Sequence, residues 1–172
     1  MIFKQFLDPV SSTLTYILAE TRGGEAIIID SVEDHVEEYL KFLKENHLKL
    51  VKGFDTHTHA DHVTGLSKLR SLTKCITMMG DESKAATVSI RVKDGDKITI
   101  KGLEFDVIYT PGHTDDSYML HCQGMLFTGD TIFIRGTGRT DFQNGDSTLL
   151  YDSIFNKVLT YPDHTKIYPG HD

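Results

Sequence analysis

The sequence predicts an α/β protein, a sandwich of β-sheets covered by helices. Three observations carry that expectation. Strand-like runs outnumber helical ones and separate them from one another. The run Ala26-Ile27-Ile28-Ile29 has no polar alternation, which marks a strand covered on both faces near the middle of a sheet. Val36, Tyr39, Leu40 and Leu43 recur at helical spacing, with Glu37, Glu38, Lys41 and Lys44 on the other face, the pattern of a helix laid on such a sheet.

Taken in order, residues 13–19 and 25–30 read as strands joined by a hairpin turn at Arg22-Gly23-Gly24. The amphipathic helix falls within residues 32–47. An apolar strand follows (Leu48, Leu50, Val51, Phe54), and beyond a polar stretch Val63, Leu66, Leu69 and Leu72 predict a second helix. Residues 75–79 form another strand, and Asp94-Gly95-Asp96 is a turn. Residues 97–100 and 103–109 pair around Lys101-Gly102, and residues 118–122 and 125–128 around Gln123-Gly124. Leu150, Ile154, Phe155 and Val158 mark a helix with Ser147 as its expected N-cap. Residues 166–168 make a last short strand. With no repeat, linker or low-complexity stretch, residues 1–172 are expected to form one domain.

Composition narrows the function. A net charge of -7 with no basic run argues against nucleic acid as a partner. No apolar run approaches the ~18 residues that span a membrane. Cys75 and Cys122 do not amount to a disulfide framework and fit a reducing compartment. The first residues lack the apolar core of a signal peptide and the Arg-rich look of a transit peptide. The expected location is the cytoplasm.

The stretch Thr56-His57-Thr58-His59-Ala60-Asp61-His62 sets three histidines and an aspartate within six positions, just past a strand end. Imidazole and carboxylate are the donors that bind borderline divalent metals at neutral pH. A loop there can bend to aim His57, His59, Asp61 and His62 at one point, and the following helix anchors it. A polar loop that is histidine-rich by chance is the plainer explanation, and the density of donors argues against it.

Three further donors stand beside glycines at strand ends: Gly112-His113, Gly129-Asp130 and Gly170-His171, the last followed by Asp172. Glycine permits a sharp turn that aims the next side chain out of the sheet edge. One such pair is an ordinary turn; three after a four-donor loop make a metal site. His35, His47, His121 and His164 have no companion donor and read as structural or solvated.

These residues, in this order over nearly the whole chain, resemble the metallo-β-lactamase superfamily. The resemblance implies an αβ/βα sandwich of two mixed sheets flanked by helices, with metal at one edge. In dinuclear members the counterparts of His57, His59 and His113 hold one ion, those of Asp61, His62 and His171 the other, and that of Asp130 bridges. Such proteins are hydrolases in which a metal-bound water attacks a carbonyl.

The segment Phe133-Ile134-Arg135-Gly136-Thr137-Gly138-Arg139-Thr140-Asp141-Phe142-Gln143, with Gly145-Asp146, Leu149 and Tyr151, resembles the persulfide dioxygenase branch of that superfamily. That branch implies one Fe(II) per chain held by His57, His113 and Asp130, a facial triad that leaves positions open for a persulfide sulfur and O2. Its reaction takes R-SSH, O2 and water to R-SH and sulfite, with glutathione the expected carrier. His59, Asp61, His62 and His171 would then orient ligands and water, or hold a second ion if zinc is in excess. Arg135 or Arg139 would receive a substrate carboxylate; the plainer role for Arg139 is a clamp on Asp141.

The resemblance implies that relatives usually continue past Gly170-His171-Asp172 with a further tail, so a fragment, a truncated form or a short natural form is the expectation here. A homodimer and a functional link to a sulfurtransferase are further expectations of the resemblance. Two other functions compete. A dinuclear zinc thioester hydrolase of the glyoxalase II type carries a different segment at 133–143 and a C-terminal helical domain for which this chain has no room. A metal-binding but catalytically idle domain would be free to lose ligands, and the donor set is intact.

Overall fold

The computed structural model describes residues 1–86 and 88–171; Asp172 of the last glycine motif lies outside the described residues. Six strands form the first sheet, in chain order: β1 (Ile2–Leu7), β2 (Leu14–Ala19), β3 (Glu25–Ile29), β4 (Lys49–Phe54), β5 (Ile76–Gly80) and β6 (Ile90–Val92). β1, β2 and β3 pair antiparallel, and β3 to β6 pair parallel. The second sheet runs β11-β10-β9-β8-β7, from β7 (Lys97–Ile100), β8 (Leu103–Tyr109), β9 (Tyr118–Cys122), β10 (Met125–Gly129) and β11 (Lys166–Pro169). Its pairs are antiparallel except β10 with β11.

The strand pleat explains the sandwich. In β2, Leu14, Tyr16 and Leu18 face a core shared with Ile98, Phe105, Leu120 and Phe127 of the second sheet. Ile17 and Ala19, on the opposite face, pack with Ile28 against two helices, α1 (Val36–Glu45) and α2 (Leu66–Thr73). Both faces are therefore apolar, and β2 is buried throughout. On the outer face of the second sheet, Met119 and Leu126 meet Val158, just beyond α3 (Ser147–Asn156). The layers run helix, sheet, sheet, helix, as the sequence predicts.

Several details depart from the expected elements. β1 pairs along β2 in a stretch that carried no strand expectation; only Phe6 of it is buried, so its apolar pattern is thin. β6 is three residues long and equally unheralded. Residues 33–35 form a 3-10 turn before α1 begins at Val36, four residues into the expected span. In α2 only Leu66 and Leu69 are buried, while Val63 and Leu72 are exposed. The N-cap of α3 is Asp146 rather than Ser147: its Oδ1 accepts from the amides of Thr148 (2.7 Å) and Leu149 (3.0 Å).

Candidate metal centre

The donors all sit just past strand ends along one edge of the sandwich. His57 follows β4, His113 follows β8, Asp130 follows β10 and His171 follows β11. Two glycines make the turns that no other residue could make without strain. Gly129 has φ 47°, and Gly112 has φ 141° with the α3 backbone so close that a Cβ would lie 2.3 Å from the Leu150 Cα. Gly170 packs on the donor itself: a Cβ there would meet Asp130 Oδ1 at 2.4 Å.

Three imidazoles converge on one carboxylate oxygen. Asp130 Oδ2 lies 3.4 Å from His113 Nε2, 3.5 Å from His171 Nε2 and 3.9 Å from His57 Nε2. Each ring is held through its other nitrogen. His113 Nδ1 meets the Arg139 carbonyl at 2.8 Å, His171 Nδ1 the Ser12 carbonyl at 3.1 Å, and His57 Nδ1 the Thr56 hydroxyl at 2.9 Å. A carbonyl can only accept, so His113 and His171 carry their proton on Nδ1 and present the Nε2 lone pair inward. Asp130 Oδ1 is buried and has no hydrogen-bond partner among the described residues. Converging imidazole lone pairs beside a buried carboxylate oxygen without a partner fit a divalent cation.

Burial lowers the affinity of His57 for a proton well below the ordinary imidazole value, and the neighbouring His59 and His113 rings add to it. His57 is therefore neutral and free to bind a metal at pH 7. Burial raises the Asp130 carboxyl, against the pull of His171 and His113.

His59, Asp61 and His62 gather beside this group. Asp61 Oδ2 accepts from the Thr13 hydroxyl at 3.0 Å and lies 3.2 Å from His62 Nδ1 and 3.6 Å from His171 Nε2. Burial alone would raise the Asp61 carboxyl, but the hydrogen bond and charge of His62 hold it well below the carboxylate range. His59 is turned toward two buried carboxylates, with Nε2 3.3 Å from Asp30 Oδ1. Burial disfavours its charged form, yet the Asp30 contact lifts it to about 9, while burial lifts Asp55 to about 7. Distance to Asp130 does not separate His171 from His57 and His113; the ligand atoms of His57, His113 and Asp130 do form one cluster within 4.8 Å, and those of His59, Asp61 and His62 another.

A cavity of about 470 Å³ opens onto the donors, walled by Phe133 and Phe142 and by Arg139 and Gln143. The Arg139 guanidinium grips Asp141 with two bonds, of 2.7 and 3.0 Å, and lies over the Phe142 ring. Arg135 is exposed and is not in the cavity wall. Gln143 Nε2 donates to the Thr58 carbonyl at 2.9 Å, tying the segment to the histidine loop. Sequence reasoning passed over Asp30, Asp55, Thr13 and Thr56. The signal for Asp30 was available: an acid ends the apolar run 26–29 at the same sheet edge.

The sequence matches the metallo-β-lactamase superfamily over residues 8–171. The chain belongs to that superfamily. It is 37% identical to the human protein named "Persulfide dioxygenase ETHE1, mitochondrial" over 100% of this chain and 68% of the relative. The crystal structure of ETHE1 from Myxococcus xanthus superposes with a TM-score of 0.96 at 43% identity, covering 100% of this chain and 76% of that one. A hydroxyacylglutathione hydrolase of Francisella tularensis subsp. novicida is 32% identical over 99% of this chain and 67% of its own length. Among superfamily members, then, both expected chemistries have relatives, with the dioxygenases the more similar. No helix among the described residues is long and apolar enough to cross a membrane.

Proposed function

We propose that residues 1–172 form one metallo-β-lactamase domain that works as a persulfide dioxygenase, converting R-SSH, O2 and water to R-SH, sulfite and two protons. The observation that carries the reading is the donor set: two imidazoles and one carboxylate, His57, His113 and Asp130, in a chain so similar to persulfide dioxygenases. Two histidines and a carboxylate on one face, with open positions, suit a single Fe(II). Bound there, the iron supplies the redox chemistry toward O2 that side chains lack.

The chain's own residues do the rest. The Thr56, Arg139 and Ser12 contacts keep His57, His113 and His171 from rotating away. His171 and Asp61 stand beside the triad and orient its carboxylate and water, as do His59 and His62 farther back. Phe133 and Phe142 give the cavity apolar walls that suit a sulfur-bearing substrate and hold back bulk water. Arg139 stands at that wall, 65% exposed by its side chain, and its weak surface pairing with Asp141 can be exchanged for a substrate carboxylate. Glutathione persulfide, with two carboxylates, is the carrier this suits; Arg135, which does not line the cavity, is the secondary candidate for that role. A sulfurtransferase is the class of enzyme that makes such substrates, and the free buried Cys75 and Cys122 agree with work in a reducing compartment such as the cytoplasm.

Oxygen uptake on glutathione persulfide tests the reading. Uptake matched by sulfite supports it; turnover of S-lactoylglutathione without O2 favours the zinc hydrolase.

A further inference from the structure

Of the three histidines around Asp130, His113 and His171 lean on backbone carbonyls, and His57 alone leans on a side chain. That side chain is Thr56, which is 1% exposed and every polar atom of which is engaged. Its amide donates to Asp30 Oδ1 at 2.7 Å, and its carbonyl accepts from the Tyr118 amide at 2.8 Å. Its hydroxyl donates to Asp30 Oδ2 at 3.0 Å and meets His57 Nδ1 at 2.9 Å.

The protons can be assigned by counting. A hydroxyl has one hydrogen, and a carboxylate oxygen can only accept, so the Thr56 hydrogen is committed to Asp30. Toward His57 the hydroxyl can then only accept. His57 must carry its proton on Nδ1, which leaves the Nε2 lone pair facing Asp130. The same oxygen also spaces the second donor. A Cβ on Gly129 would lie 2.3 Å from Thr56 Oγ1, so the turn that aims Asp130 is seated directly on the threonine. Thr56 lies just past the end of β4 of the first sheet, while Tyr118 and Gly129 belong to the second. One residue thus touches the supports of both donors, its hydroxyl at His57, Asp30 and Gly129 and its carbonyl at Tyr118.

We propose that Thr56, backed by Asp30, is a positioning residue for the metal centre: its hydroxyl fixes the tautomer and rotation of His57 and the spacing from His57 to Asp130. The inference rests on the metal-binding reading above but is independent of which reaction the ion serves. Removing the hydroxyl lets the ring turn and leaves both the Nδ1–H and Nε2–H forms open, whereas serine keeps the relay.

Anaerobic titration with Co(II) alone, followed by its visible absorption, reads this without turnover. Thr56→Val is expected to weaken Co(II) binding about 10- to 100-fold and to alter the band shape, and Thr56→Ser to restore both. Equal affinity and an unchanged spectrum in Thr56→Val would overturn the role of Thr56 while leaving the metal site standing. Absence of stoichiometric Co(II) binding in the wild-type chain would overturn the metal-binding reading itself, and this inference with it. Should Thr56→Val not fold, ring 15N NMR of the metal-free wild-type chain decides: a proton on His57 Nδ1 supports the relay, and one on Nε2 contradicts it.

Discussion

The Nδ1–H of His113 donates to the Arg139 carbonyl at 2.8 Å, so the segment that leaves Asp130 returns to hold a second donor. Gly138 makes that return fit. Its amide donates to the Asp130 carbonyl at 2.9 Å, and a Cβ in its place would lie 2.3 Å from that oxygen and 2.7 Å from His113 Nδ1. Neither neighbour is the far end of a flexible side chain. Gly138→Ala is predicted to displace both donors at a cost of about 1–3 kcal/mol and to reduce bound iron to less than about half of the wild-type content. Thermal unfolding and elemental analysis check it.

Arg139 and Asp141 form an exposed pair, with side chains 65% and 71% accessible, and such pairs add little to stability. Losing Arg139 should therefore show in substrate binding rather than in folding. Arg139→Gln is predicted to raise KM for glutathione persulfide about tenfold, in line with the loss of one charge-assisted hydrogen bond, with kcat and iron content little changed. Asp141→Asn frees the guanidinium and should lower KM. Steady-state O2 uptake separates the two; a fall in iron content in either variant would assign the pair to holding the metal loop instead.

His113 and His62 lie in different donor clusters. On a mononuclear centre His113→Ala abolishes iron binding, and His62→Ala leaves most of the iron in place. Elemental analysis of the two anaerobically purified variants distinguishes them. Equal loss in both would show that His62 is a ligand and that the centre is not mononuclear.

Away from the centre, His35 Nε2 meets Asp8 Oδ1 at 3.0 Å and Nδ1 meets Glu38 Oε2 at 3.3 Å. The Asp8 hydrogen bond raises the His35 pKa, outweighing burial, and Glu38 adds to the rise. A raised pKa in the folded state means stability that is complete below the unfolded value of about 6.5 and fades as pH climbs through the folded one. His35→Gln should therefore cost more at pH 5.5 than at pH 9. A difference of about 1 kcal/mol, or roughly 2–4 °C in Tm, is expected. Melting curves at the two pH values check it, and equal losses would show that His35 acts only by packing.

The architecture was legible because burial on two faces leaves a plain mark. Ile27 and Ile29 face one core and Ile28 the other, so the β3 run shows no alternation. β1 escaped notice for the opposite reason: an edge strand with one buried side chain is written mainly in backbone pairing. The donors were equally legible, since donor type, glycine and strand end coincide at His113, Asp130 and His171. Their supports were not. Thr56 and Asp30 are 26 positions apart, and the carbonyls of Ser12 and Arg139 act through the backbone, which has no residue type to read. Likewise Asp146 and Ser147 are both good caps, and only the chain path into α3 selects Asp146.

A single iron centre that reduces O2 with a persulfide is what the donor set is proposed to form. Elemental analysis of anaerobically purified protein, paired with O2 uptake and sulfite release on glutathione persulfide, tests it most directly. About one iron per chain, with O2 consumed and sulfite formed in equal amounts, is the predicted result. Two zinc ions per chain, no O2 uptake and hydrolysis of S-lactoylglutathione would contradict it.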